Sequence, residues 1–169
     1  MAAALRSGWA SSIVVGCITG IALTSDWLPA RVASHFSAGG IATGFVSRPV
    51  YVALVIAFVL LLPALAAVGL RLLVRRFSHR FSLPNRNYWL APDRREQTAE
   101  FVAARSSWLA AAGALFTFGG HLLVVRANHA MPPHFDAAPL VALMAAFAAV
   151  VAAWLGTLGR YFAGVPDRV

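Results

Sequence analysis

Four stretches of this chain carry no charged residue. They cover 7–25, 49–70, 106–125 and 137–159 and are 19, 22, 20 and 23 residues long. A helix needs roughly 20 apolar residues to cross about 30 Å of hydrocarbon, and all four stretches reach that length. Charged residues make up 12% of the chain, against about 25% in a soluble domain. So few charges cannot cover a surface facing water, so the fold class expected is an all-α integral membrane four-helix bundle in a single domain, 1–169.

The first stretch is the most polar, with Ser11, Ser12, Thr19 and three glycines. A cleaved signal peptide is the alternative there, but no A-x-A site follows. Val14-Val15-Gly16-Cys17 resembles a lipoprotein processing box, yet Ile18 to Leu23 stays apolar where a polar tether would begin. A retained span is the preferred reading. Cys17 is the lone cysteine, which leaves no intramolecular disulfide and no cysteine-based zinc cluster within one chain.

Between the second and third stretches lies a basic connector, 71–105, that holds eight of the fourteen arginines; the chain has no lysine. With four spans, the N-terminus, the connector and the C-terminus share one side and collect eleven arginines. The other side has three, Arg31, Arg48 and Arg126. Short loops rich in Arg stay in the cytoplasm. Both termini are therefore expected on the cytoplasmic side of the membrane, with the 26–48 and 126–136 loops facing outward. The 71–105 arginines would then meet anionic inner-leaflet headgroups, at about 1 kcal/mol each. No nucleic-acid module accompanies the net charge of +8, so no nucleic-acid partner is expected.

Small residues mark faces on which helices can approach closely. The first span has Gly16 and Gly20 in G-x-x-x-G spacing. The third has Ala110, Gly113, Ala114, Gly119 and Gly120. The fourth has Ala145, Ala149 and Ala153, flanked by Ala152 and Gly156. These faces suit a compact bundle or a homo-oligomer equally. Pro63 should kink the second helix. Pro92-Asp93-Arg94-Arg95-Glu96 reads as a capping box that opens one long helix over about 93–125.

Two loops carry particular sequences. The outer one runs Trp27-Leu28-Pro29-Ala30-Arg31-Val32-Ala33-Ser34-His35-Phe36, with Gly40, Gly44, Phe45, Ser47 and Arg48 beyond. The inner one contains Asn85, Tyr88-Trp89-Leu90-Ala91-Pro92 and Arg94-Arg95. The third span ends on His121, Arg126 and Asn128. These segments resemble a bacterial domain-of-unknown-function family of small membrane proteins, whose outer motif is matched at Leu28, Pro29, Arg31, Val32, His35, Phe36, Gly40, Gly44, Phe45, Ser47 and Arg48. A related domain occurs in larger SdpI-type membrane proteins, which resemble immunity factors against a secreted peptide toxin. The resemblance implies a four-helix membrane protein with a short outer-loop cap. This chain has fewer spans than the SdpI-type proteins, and Ile41-Ala42-Thr43 replaces more polar residues before the second motif glycine.

Four of the five histidines, His35, His121, His129 and His134, fall toward the outer side, with Asp26 and Asp136 nearby. Imidazoles and carboxylates are metal ligands, which makes these four the metal or ligand candidates, although their spacing fits no metal signature. His121 lies inside a span, where an ionisable group is a functional candidate. A hydrogen bond across helices is the expected role, with His35 as its partner if the cap folds inward. No G-x-S-x-G, H-E-x-x-H or P-loop pattern occurs, and no cofactor is implied.

The leading reading is a non-enzymatic membrane protein with a structural, regulatory or immunity-like role. It is followed by an outer-side metal- or ligand-binding protein or enzyme subunit using His35 and His121. A small transporter acting as an oligomer comes third, since no carboxylate or arginine lies within a span. A larger membrane-protein partner is compatible with each.

Overall fold

The computed structural model describes residues 2–76 and 84–164, apart from the side chains of 2–7, 63, 66, 67, 71 and 73. The chain is mostly helical. Helix α1 (Ala2–Ser25) leads into strands β1 (Arg31–Phe36) and β2 (Ala42–Ser47). Helix α2 (Arg48–Arg76) follows without a loop. A single turn, α3 (Arg86–Trp89), precedes the long α4 (Arg95–His129), and α5 (Ala137–Ala163) closes the described chain. Of the sequence features named above, Arg80 and Arg168 lie outside the described residues, as do the side chains of Arg6, Pro63 and Arg71.

Three helices are long and apolar enough to cross a membrane: α1 over Gly8–Ser25, α4 and α5. In α2 the apolar helix found among the described residues is the shorter Arg48–Leu62. Apolar side chains surround α1, α2 and α4 rather than forming one stripe, as expected of helices in apolar surroundings on all sides. At 1.5 Å per residue, α4 is about 52 Å long, well beyond the hydrocarbon thickness, so its ends reach into polar surroundings. Arg95 and Arg126 occupy those ends.

Helix α4 is the hub. It packs against α1, α2 and α5, and α1 also packs on α2. One core cluster joins Cys17 and Ile21 of α1, Val59 of α2 and Ala114 of α4. A second lies at the connector end, where Val74 of α2, Ala99 and Val102 of α4, and Trp154, Leu158 and Phe162 of α5 meet around Leu90. The chain ends of α1 and α5 lie on the connector side. Trp9 rests against Trp108 with ring centroids 4.9 Å apart, and the Asn85 amide donates to the carbonyls of Phe162 and Ala163 at 3.2 and 2.7 Å.

The small-residue faces are used selectively. A Cβ on Gly20 would meet the Phe118 ring at 2.8 Å, whereas Gly16 has nothing within 4 Å. Gly119 lies against Leu143, whereas a Cβ on Gly113 or Gly120 would have no neighbour within 4 Å. The α5 stripe of Ala145, Ala149, Ala152, Ala153 and Gly156 is exposed, because α5 turns Leu143, Phe147, Val151, Trp154 and Leu158 toward α4 instead. Large side chains at a seven-residue repeat bury more than alanines do, and they won that face.

Four sequence expectations change. The fold is not purely α, because the loop after α1 is built on an antiparallel hairpin, β1–β2. Its register pairs Arg31 with Ser47, Val32 with Val46, Ala33 with Phe45, His35 with Gly44 and Phe36 with Ala42, with irregularities on both sides of His35. Helix α4 runs over 95–129 rather than 93–125. Asp93 and Glu96 also form no capping box: the N-cap is Arg94, which makes no side-chain cap bond. Instead Thr98 donates to the Trp89 carbonyl at 2.7 Å, and Glu96 is drawn off by Arg75, whose Nε donates to Oε2 at 2.7 Å and whose second nitrogen reaches Oε1. The second helix begins one residue earlier than read and ends six later, since Leu72 to Arg76 continue it past the apolar run.

Candidate functional site

The hairpin sits on one end of the bundle. Val32 and Ala33 are fully buried, and Val32 packs with Leu28, Tyr51 and Val125. The tight connection at 37–41 is closed by Ser37 N–H to the Ile41 carbonyl at 2.8 Å and Gly40 N–H to the Ser37 carbonyl at 2.9 Å. Gly40 has φ +77°, the left-handed region that side chains avoid, and a Cβ there would strike the Phe135 carbonyl oxygen. The α4–α5 loop closes over the same turn: Phe135 N–H donates to the Gly40 carbonyl at 2.8 Å, and the Phe36 and Phe135 rings lie 5.1 Å apart.

Asn128 fastens this cap to α4. Its Oδ1 accepts from the Ala33 N–H at 2.8 Å, and its Nδ2 donates to the Ala33 carbonyl at 3.1 Å and to Val124 O at 2.9 Å. One amide thus satisfies both backbone groups on the outer edge of β1, where a buried unpaired N–H or C=O would be costly. Asn85 does the corresponding work at the opposite end. It adopts φ 51°, ψ 38°, a left-handed conformation that asparagine tolerates, and its amide holds the last carbonyls of α5. Trp89 Nε1 adds a bond to Phe162 O at 3.0 Å.

Beneath the hairpin three helices meet at a buried polar group. His121 of α4 is 2% exposed. Its Nε2 lies 2.8 Å from Thr24 Oγ1 of α1, and its Nδ1 lies 3.2 Å from the Tyr51 hydroxyl of α2. The His121 ring stacks on Tyr51 with centroids 5.7 Å apart. Proton counting fixes the directions. Thr24 spends its one proton on the Gly20 carbonyl at 2.6 Å, so it accepts from His121 Nε2–H. Nδ1 is then the acceptor for the Tyr51 hydroxyl. In this arrangement each donor faces an acceptor. A network of this kind ties three helices together through one buried side chain.

The candidate histidines are not brought together. The expected pairing of His35 with His121 does not occur. His35 is exposed and bonds its neighbour Ser34 at 3.0 Å, whereas Val32 and Ala33 of the same strand are buried. His129 Nδ1 bonds the Val125 carbonyl of its own helix at 2.8 Å. His134 lies against Gly40. Among the described residues, no three His, Cys, Asp or Glu side chains are grouped to hold a metal ion.

The other motif residues divide between the two ends. At the hairpin end, Pro29 follows the last turn of α1, Arg31 opens β1, and Arg48 forms an exposed ion pair with Asp26 at 3.4 Å. Gly44 lies against His35, where a Cβ would meet the histidine at 3.1 Å. Arg126 lines a pocket between α4 and α5. At the connector end, Arg94 stacks on the Tyr88 ring at 3.9 Å and Arg105 on Phe101 at 3.5 Å, while Pro92 is exposed. The Glu96 hydrogen bond also raises the already high pKa of the Arg75 guanidinium. Thr24 and Tyr51 were not read from sequence as site residues. The signal was present: a histidine inside a span needs partners, and these two hydroxyls end or begin the neighbouring helices at the same level.

Fold and site define a membrane protein with three long apolar helices, a hairpin-capped end and a buried His–Tyr–Thr network. Comparison with protein-family models, curated proteins and solved structures gives no match.

Proposed function

We propose that this chain is a multi-pass protein of a bacterial inner membrane with four spans, both chain ends in the cytoplasm and the hairpin cap outside. Its work is non-enzymatic: it presents a rigid outer cap for a regulatory or immunity-like interaction, and the connector arginines meet anionic lipid headgroups. The His121 network carries this reading, since a buried ionisable side chain of the helical core is engaged in joining α1, α2 and α4. The sequence resemblance to short four-helix relatives of SdpI-type proteins supports it. So does the structural use of Gly40, Gly44, Asn85 and Asn128, motif residues spent on clamps and turns. Cys17 is buried in the helix core, which favours α1 as a retained span over lipoprotein processing.

The test is elemental analysis of the protein purified in mild detergent, wild type beside His35→Ala. Substoichiometric metal in both is the expected result. Stoichiometric metal in the wild type that disappears in the variant would establish the outer metal-site reading instead.

A further inference from the structure

The α4–α5 pocket at the hairpin end is not used by the His121 network or by the Asn128 clamp. It encloses about 220 Å³ and is lined by Arg126, His134, Asp136, Leu123 and Pro139, among others, which is room for roughly seven waters. Its lining is ordered along the helix axes. Arg126, His134 and Asp136 lie at the loop level. Leu123 and Pro139 each lie three residues, about 4.5 Å, further into the helices. The pocket is polar at its rim and apolar toward the span, the polarity of an amphiphile.

The rim is held in place by backbone bonds. His134 N–H donates to the Ala127 carbonyl at 3.2 Å, and Phe135 N–H to Gly40 O at 2.8 Å. Asp136 caps α5 by accepting from Ala138 N–H at 3.0 Å through Oδ1, leaving Oδ2 for another donor. Arg126 is exposed and has no ion pair among the described residues, whereas Arg48, Arg75 and Arg94 each have a carboxylate nearby. An arginine fork is suited to bidentate phosphate contact.

We propose that this pocket binds the headgroup of a phospholipid with a primary ammonium, of the phosphatidylethanolamine type. Arg126 and His134 take the phosphate, Asp136 receives the ammonium N–H groups, and the acyl chains leave past Leu123 and Pro139. A quaternary choline cannot donate to Asp136, so the pocket discriminates between the two zwitterionic lipids. This assignment rests on the reading that α4 and α5 cross a bilayer.

Native mass spectrometry of the detergent-purified protein with added dihexanoyl-phosphatidylethanolamine, the matching phosphatidylcholine or inorganic phosphate tests it. One ethanolamine-lipid adduct per chain is expected, with binding about tenfold tighter than for the choline lipid and a loss of about tenfold in Arg126→Ala. Arg31→Ala should match the wild type. Asp136→Asn keeps the capping oxygen, so it should fold and bind both lipids equally; it serves as the second arm if Arg126→Ala does not fold. Equal binding of both lipids by the wild type, or undiminished binding by a folded Arg126→Ala, overturns the proposal. Inorganic phosphate binding as tightly as the lipid would make the ligand a free anion and overturn the lipid assignment. Alkaline carbonate extraction of membranes separates the premise: release of the protein would refute the membrane reading, whereas retention without an adduct refutes only the pocket.

Discussion

At the scale of single residues, the protein uses buried or half-buried polar side chains as joints. His121 joins three helices through two hydroxyls, and Asn128 and Asn85 each grip backbone where secondary structure leaves groups unpaired. Tyr51→Phe removes the donor to Nδ1 and strands that nitrogen in a closed site. A loss of about 1 kcal/mol of stability is expected, seen as a lower unfolding midpoint in detergent. His121→Ala also opens a cavity and should cost about 2–3 kcal/mol; a variant as stable as the wild type would refute the joint. Asn128→Ala leaves the N–H and C=O of Ala33 unpaired. It should make 31–47 markedly more sensitive to protease while the helices stay intact, and an unchanged digestion pattern would count against the clamp. His121 was legible in the sequence as a residue needing partners. Its actual partners were not, because the pairing depends on which hydroxyls lie at the same depth on neighbouring helices.

At the scale of elements, the helices were readable because an uncharged run of the right length leaves few alternatives. The hairpin was not. In β1 the register is regular over Val32 and Ala33, which lie on opposite faces yet are both buried, and irregularities follow around His35. In β2 the inward positions are Ala42, Gly44 and Val46, while Phe45 is 46% exposed, the reverse of a water-facing strand. The same contrast limits the small-residue motifs: spacing alone gave Gly16 and Gly20 equal weight, although only Gly20 faces a neighbour. Gly20→Leu must displace the Phe118 ring and should cost about 1–3 kcal/mol, whereas Gly16→Leu should change the unfolding midpoint little. Equal effects at both positions would show that α1 packs through a different face.

At the scale of the whole molecule, α1 and α4 run toward the hairpin and α2 and α5 away from it, so the start of α1 and the end of α5 share the connector side. An even number of spans implies that relation, and the Asn85 clamp on the end of α5 agrees with it. Which side faces the cytoplasm is a matter for labelling in cells. In a Cys17→Ala background, a membrane-impermeant thiol reagent applied from outside should modify a cysteine placed at Ala38 and leave one at Asn87 untouched. Both positions are exposed, so burial cannot mimic protection, and the opposite pattern would invert the topology.

The Asn128 clamp also sets an order of events during synthesis. Residues 31–47 leave the ribosome some eighty residues before Asn128 does, so the strand edge at Ala33 waits without its partner until α4 has been inserted. Maturation of the cap is therefore a late step, timed by the third long helix rather than by the hairpin's own sequence. A nascent chain stalled before Asn128 should display an open, protease-sensitive cap, and one stalled after α5 a closed one.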